Sequence, residues 1–148
     1  MRFYLEYLSK WPSYFTVANS PTNDTPMGYI MGKAEGKGEL WHGHVTAVTV
    51  NPTYRRLRLA NKLMDLLEDV SSCSYNGNFV DLFVRSSNTL AINMYNKFGY
   101  VVYRRVLGYY SGDMEEDGLD MRKALDRDKE KKSMIPMTRA IRPEELEW

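Results

Sequence analysis

The spacing of apolar positions changes several times along the chain, and each change marks an element. Residues 3–10, FYLEYLSK, put Phe3, Leu5, Tyr7 and Leu8 loosely on one side of a short helix that Pro12 ends. Tyr14 to Ala18 is β-branched and aromatic, which predicts a strand. NSPTNDTP (19–26) is dense in turn formers and predicts a loop, after which Met27 to Glu35 reads as the returning strand of a hairpin or meander. A second turn, GKGE (36–39), leads into a longer strand from Trp41 to Val50. Strand parity puts His42, His44, Thr46, Val48 and Val50 on one face, with Val45, Ala47 and Thr49 on the other, unless Gly43 introduces a bulge.

Past Asn51-Pro52 the pattern is a loop to about Leu57. Leu59, Leu63, Leu66, Leu67 and Val70 then recur at helical spacing, with Lys62, Asp65 and Asp69 opposite, until SSCSYNGN (71–78) ends the helix. Phe79 to Arg85 is apolar enough for a strand buried on both faces. Ser87 or Asn88 can cap a helix through about Phe98, and Gly99 suits its left-handed C-terminal position. Tyr100 to Val106 predicts a strand, YYSGDMEEDG (109–118) a polar loop opened by two tyrosines, and Leu119 to Leu125 a final strand. The order of elements implies one mixed α/β domain over residues 1–125, with one central parallel crossover. Residues 126–148 form a charged tail without period, expected to be extended or held by a partner.

Composition narrows the chemistry. The chain has 148 residues, 43% hydrophobic and 26% charged, which is one ordinary folded domain. Twenty Lys and Arg balance 19 Asp and Glu, so no global basic excess argues for nucleic acid and any anion site must be local. A single cysteine, Cys73, excludes an intramolecular disulfide and a multi-cysteine metal site; with only two histidines besides, no metal is expected. The start, MRFYLEYLSKWP, carries charges and lacks a long apolar run, so no membrane binding is expected and the cytoplasm is the default compartment. The local anion site is in view: between a buried strand and a helix start lie Arg55, Arg56, Leu57, Arg58, Leu59 and Ala60. Three arginines in six residues ordinarily make a solvated loop, but at this position backbone N–H groups and the helix dipole favour a phosphate.

Arg55 to Ala60 (RRLRLA) resembles the acetyl-CoA binding motif of the GCN5-related N-acetyltransferases (GNAT), Q/R-x-x-G-x-G/A. NTLAINMYNKFGY (88–100) is similar throughout to that superfamily's later motif, N-x-x-A-x-x-x-Y-x-K-x-G-Y/F. WHGHVTAVTV, VDLFVR, the Tyr109-Tyr110 pair and DMRKALDRDKEKKS together resemble the subfamily of catalytic subunits of amino-terminal acetyltransferase B (NatB) complexes, over essentially the whole chain. The resemblance implies a GNAT fold, a mixed central sheet with helices on both faces. It also implies that the chain lacks the usual first strand and first helix. The activity implied is transfer of acetyl from acetyl-CoA to the α-amino group of proteins starting Met-Asp, Met-Glu, Met-Asn or Met-Gln. Implied partners are a large helical-repeat auxiliary subunit, nascent protein N-termini and the ribosome. Arg58 departs from the motif, standing where the family has glycine; a positive φ there costs a non-glycine residue about 1–2 kcal/mol.

Roles follow from the resemblance. His44 falls on the family's catalytic histidine as base or water-positioner; the alternative is a structural histidine at a strand end, which is the expectation for His42. Tyr95 would donate a proton to the leaving thiolate, or else be a core tyrosine beside Ala91 and Phe98. Val48 and Val50 would pair their backbones with the pantetheine arm, Arg55 to Ala60 would cradle the pyrophosphate, and Asn88 would contact the cofactor besides capping its helix. Tyr109, Tyr110 and Thr46 would hold the substrate peptide. Two other readings remain: an N-terminal or small-amine acetyltransferase of different specificity, and a non-catalytic acetyl-CoA-binding scaffold.

Overall fold

Among the described residues, six strands, numbered in chain order, pair into one sheet in the order first, second, third, fourth, sixth, fifth. In the computed structural model, which describes residues 14–20, 26–52, 58–112 and 114–148, these are β1 (Phe15–Asn19), β2 (Pro26–Glu35), β3 (His42–Val50), β4 (Phe79–Arg85), β5 (Val101–Tyr110) and β6 (Glu116–Ala124). Helix α1 (Leu59–Cys73) connects β3 to β4, and α2 (Thr89–Lys97) connects β4 to β5. Among the described strands only β3 and β4 run parallel; every other neighbouring pair is antiparallel. The short helix expected over residues 3–10 lies outside the described residues.

Helix α1 buries Leu59, Leu63, Met64 and Leu67 against Ile30, Val45, Val80 and Leu82 of the sheet. Each fully buried aliphatic side chain contributes about 1.5–3 kcal/mol, so this stripe holds the helix to the strands. Leu66, expected on the stripe, is 47% exposed, and Met64 takes the inward position. The helix also runs on to Cys73. Near its end it approaches β3 so closely that a Cβ on Gly43 would collide with Ser71; glycine is the side chain that fits. Ser71 in turn bonds the buried Tyr14 hydroxyl at 2.7 Å. Tyr95 of α2 joins the same core, so both described helices cover one sheet face.

The strand parity needs correction. Gly32 pairs with Val45 and Met31 with Ala47, which leaves Thr46 as an extra residue in β3. The bulge sits at Thr46 rather than Gly43. Val48 and Val50 therefore join Val45 against the α1 core, because a bulge reverses alternation beyond it. His42 and His44 point to the opposite face.

That face, for which helices were expected, is covered among the described residues by the C-terminal segment. The tail is not free of its domain. Met137 N–H donates to the Tyr103 carbonyl at 2.7 Å, Ile141 N–H to Arg105 at 2.9 Å, and Leu107 N–H to Ile141 at 2.7 Å. These bonds close the outer edge of β5, an edge otherwise open to pairing. Farther on, Arg104 donates to both carboxylate oxygens of Glu147 at 3.0 and 2.8 Å, and the Trp148 ring lies 4.5 Å from that of His42. The tail was expected to be extended or held by a partner; here backbone bonds to β5, the Arg104–Glu147 pair and the Trp148 ring hold it to its own domain. Strand β5 also extends to Tyr110, so the tyrosine pair ends a strand instead of opening a loop. No described helix is long and apolar enough to cross a membrane.

Burial pushes the Tyr14 phenol up to about 12, with Ser71 opposing and Tyr75 adding. Burial, helped by Tyr110, does the same to Tyr95. Folded-state values above the unfolded value near 10 mean that stability is complete below that pH and falls as pH rises through about 12. Urea midpoints measured between about pH 9 and about pH 12 should drop, each phenol accounting for at most about 3 kcal/mol. A flat profile across that interval would contradict the burial of these phenols.

Candidate active site

The parallel ladder between β3 and β4 is short: Gly43 pairs with Val80 and His44 with Asp81, and there it ends. Beyond this point the strands part. A cleft of about 690 Å³ opens between residues 45–50 of β3 and 82–85 of β4, with Ala60, Asn88, Leu90, Ala91, Met94, Tyr95 and Tyr110 completing its lining. The other edge of β3 is fully used by β2 up to Val50. The edge facing the cleft thus offers strand N–H and C=O groups to an extended ligand with amides of its own, as an added strand would.

The N-terminus of α1 stands beside this cleft. First-turn N–H groups have no partner inside a helix, and the dipole makes them attractive to anions. Arg58 is the N-cap, exposed, with φ +55° and no side-chain cap bond. The motif position that usually carries glycine therefore does adopt the left-handed conformation. Arg55, Arg56 and Leu57 lie outside the described residues. At the far wall Asn88 caps α2 by accepting the Ala91 N–H at 3.2 Å, which places its own backbone and side chain at the cleft's rim. Tyr95, 7% exposed, is held by edge contacts to Phe98 and Tyr100 at 6.1 and 6.0 Å. Its raised pKa keeps the hydroxyl protonated, a donor at neutral pH.

His44 occupies the last paired position, where the cleft closes, on the face opposite the helices. Its Nδ1 lies 2.8 Å from Asp81 Oδ1. A nitrogen facing a carboxylate is the protonated one, so Nδ1–H donates and Nε2 keeps its lone pair. Asp81 is completely buried. Burial alone would raise its pKa, but the charges of His44 and His42 outweigh it and hold the carboxyl well below the usual range. His42 is also buried. Desolvation opposes its charging, yet Asp81, Glu35 and the Leu40 carbonyl push its pKa up to about 9. Its Nδ1–H donates to that carbonyl at 2.6 Å, and its ring stacks on Phe79 at 4.5 Å; this is the structural histidine expected.

An aromatic wall continues from His44. Phe83 lies 5.8 Å from the imidazole, Tyr109 stacks on Phe83 at 4.6 Å, and Tyr110 meets Tyr109 at 5.0 Å. Arg85 covers the Tyr110 ring at 4.4 Å. Thr46, Val48, Val50, Ala60, Asn88, Tyr95 and Tyr110 thus share the cleft, while His44 and Tyr109 adjoin its closed end from the other face. Leu59 turns into the α1 core, 8% exposed, and can serve the site only by its backbone. Asp81, Glu35 and Phe83 were missed from sequence. One signal was available for Asp81: a carboxylate inside the apolar run FVDLFVR must find a partner once buried.

A sheet opened between two parallel strands beside a helix N-terminus offers strand amides to an extended ligand and first-turn N–H groups to an anion. Residues 1–100 match the Acetyltransferase (GNAT) family, and the chain belongs to that family. It is 67% identical over 148 residues, all of this chain and 83% of the relative, to the N-terminal acetyltransferase B complex catalytic subunit NAA20 of Arabidopsis thaliana. Among solved structures it is similar to Chaetomium thermophilum Naa20 in complex with a bisubstrate analogue, at TM-score 0.86 and 38% identity, covering 97% of this chain and 83% of that one. It is also similar to the NatB acetyltransferase complex bound to CoA and MES, at TM-score 0.75 and 44% identity over 84% of this chain and 81% of that one.

Arg58→Gly should remove the left-handed penalty, partly offset by the greater freedom of glycine in the unfolded chain, for a net gain of about 1 kcal/mol. Thermal melting of the two proteins measures it. A clear loss of stability would mean that the arginine side chain holds the loop.

Proposed function

We propose that this chain is the catalytic subunit of a NatB-type N-terminal acetyltransferase, acting on proteins that begin Met-Asp, Met-Glu, Met-Asn or Met-Gln. The observation that carries this reading is the Asp81–His44 pair at the closed end of the β3/β4 cleft. The names of the similar proteins support the subunit assignment. The cleft fits acetyl-CoA: Val48 and Val50 would present backbone to the pantetheine arm, and Arg58 and Ala60 with the first turn of α1 would take the pyrophosphate. Asn88 would line the rim. Acetyl-CoA supplies, when bound, an activated acetyl thioester.

The residues of this chain do the rest. An α-amino group has a pKa of about 7.7–8.0, so a minority is neutral near pH 7 and a modest base is enough. His44 Nε2 takes the ammonium proton, directly or through one water, while Asp81 fixes the tautomer and steadies the imidazolium. The Tyr95 hydroxyl, kept protonated, donates to charge developing on the departing sulfur. Attack is direct, in a ternary complex, so no side chain serves as a covalent nucleophile. Thr46, Tyr109 and Tyr110, with Phe83, grip the first residues of the peptide. The enzyme works in the cytoplasm beside a large helical-repeat auxiliary subunit, on nascent N-termini at the ribosome.

Peptides starting Met-Asp, Met-Leu and Ser, offered with acetyl-CoA in the presence and absence of the auxiliary subunit, test the specificity. Met-Asp should be acetylated fastest; preference for Met-Leu or Ser would sink the assignment, and cofactor binding without turnover would leave a scaffold. His44→Ala and Tyr95→Phe should each lower turnover on the order of 10²-fold or more while cofactor affinity stays near normal. Near-full rates in both variants would remove them from the mechanism.

A further inference from the structure

Glu35, His42, His44 and Asp81 converge beneath the closed end of the cleft, each offering one donor atom, all within 4.8 Å of one another. Four separations define the cluster. His44 Nδ1 to Asp81 Oδ1 is 2.8 Å, His42 Nε2 to Asp81 Oδ1 is 3.3 Å, His42 Nε2 to Glu35 Oε1 is 3.4 Å, and His44 Nδ1 to Glu35 Oε1 is 3.8 Å. Zinc bonds of about 2.0–2.2 Å in a tetrahedron set neighbouring ligand atoms about 3.3–3.6 Å apart. These four separations bracket that value, and the remaining pairs lie within 4.8 Å, so closing the four donors on one ion takes side-chain adjustments of up to about 1 Å.

A second observation points the same way. His42 Nε2 is wholly buried and, although within ion-pair reach of two carboxylates, makes no aligned hydrogen bond. The other buried oxygen of the shared carboxylate, Asp81 Oδ2, also has no hydrogen-bond partner among the described residues. The His42 Nδ1–H bond to the Leu40 carbonyl is the backbone contact that typically orients a metal-binding imidazole, and the ion takes Nε2 by displacing to solvent the proton that Glu35 and Asp81 favour there. Two imidazoles and two carboxylates are a suitable donor set for zinc. There is also an entry path: His42 and Asp81 form the closed floor, while the side chains of His44 and Glu35 remain 13% and 16% exposed.

We propose that Glu35, His42, His44 and Asp81 form a reversible binding site for a zinc-class divalent cation, and that its occupation blocks catalysis. Bound through Nδ1, His44 carries its remaining proton on Nε2, so the lone pair that would accept the substrate's proton is gone. The ion also takes Asp81, which otherwise orients the imidazole. The blocking role rests on His44 as base; the metal site itself does not.

Titration of the chelator-treated full chain with Co²⁺ alone, then Zn²⁺, tests both parts. One equivalent of Co²⁺ should bind with the intense visible bands of tetrahedral cobalt, and Zn²⁺ should displace it. Glu35→Gln and His44→Ala, both at partly exposed positions and checked for folding by thermal melting, should each weaken the binding on the order of 10-fold or more. One equivalent of Zn²⁺ should suppress acetyl transfer, with recovery on chelation. Absence of saturable binding, an octahedral spectrum, or unchanged binding in both folded variants would overturn the site. Tetrahedral binding with unaltered turnover would uphold the site and overturn the blocking role, and with it His44 as base.

Discussion

The parting of β3 from β4 after His44 and Asp81 is the constraint on which the rest of the site depends. Two parallel strands in mid-sheet would normally continue their ladder, since an unpaired buried backbone group costs about 1–3 kcal/mol. Here β3 is bulged at Thr46, and α1 packs Leu59 to Leu67 beneath the half that follows. The bulge turns Val48 and Val50 into the helix core, in the same stretch where β3 leaves β4. The gap turns a strand edge toward the cleft, where an extended ligand could pair with it. The same geometry aims the α1 N-terminus across that edge.

At the closed end the problem is charge rather than hydrogen bonding. Asp81 and Asp120 are both fully buried on the face opposite the helices. Burial and the nearby Asp81 push the Asp120 pKa up to about 7, against the pull of Arg122 and Arg104. Arg104 donates to Asp120 at 3.0 Å, and the Arg122 guanidinium lies between Tyr103 at 3.6 Å and Phe79 at 4.3 Å. Breaking one partner out of such a set strands a buried charge at a cost of about 3–5 kcal/mol. Glu147 and Trp148 complete this network from the far end of the chain. The tail therefore belongs to the machinery that fixes His42, Asp81 and, through Asp81, His44.

Much of the fold was legible because its signals are local. The β4 boundaries, the Asn88 cap and the α1 stripe depend on residues within a few positions of each other. The left-handed Arg58 was legible as well, because a motif names the conformation and not the side chain that endures it. The bulge at Thr46 was not, since it depends on register against β2, and nothing within HGHVTAVTV distinguishes Thr46 from Gly43 as the extra residue. Leu66 satisfied the helical period yet is largely exposed, because the buried face of α1 centres on Leu63, Met64, Leu67 and Ser71 and Leu66 lies to one side of it.

By itself, then, the sequence determined the order and kind of the described elements and the family, and its short motifs nominated His44, Asn88, Tyr95 and the basic loop as site residues. These rest on periodicity and on spacing along one element, which a chain carries whatever its partners. Only the tertiary structure decided that the charged tail covers β5 and His42, and that Asp81 stands behind His44. It alone brought two histidines and two carboxylates from three strands to within one ion's reach, where the residue count had argued against any metal. Those outcomes depend on which strand lies beside which, and separations of about 40 residues along the chain leave no local trace of a contact of 2.8 Å.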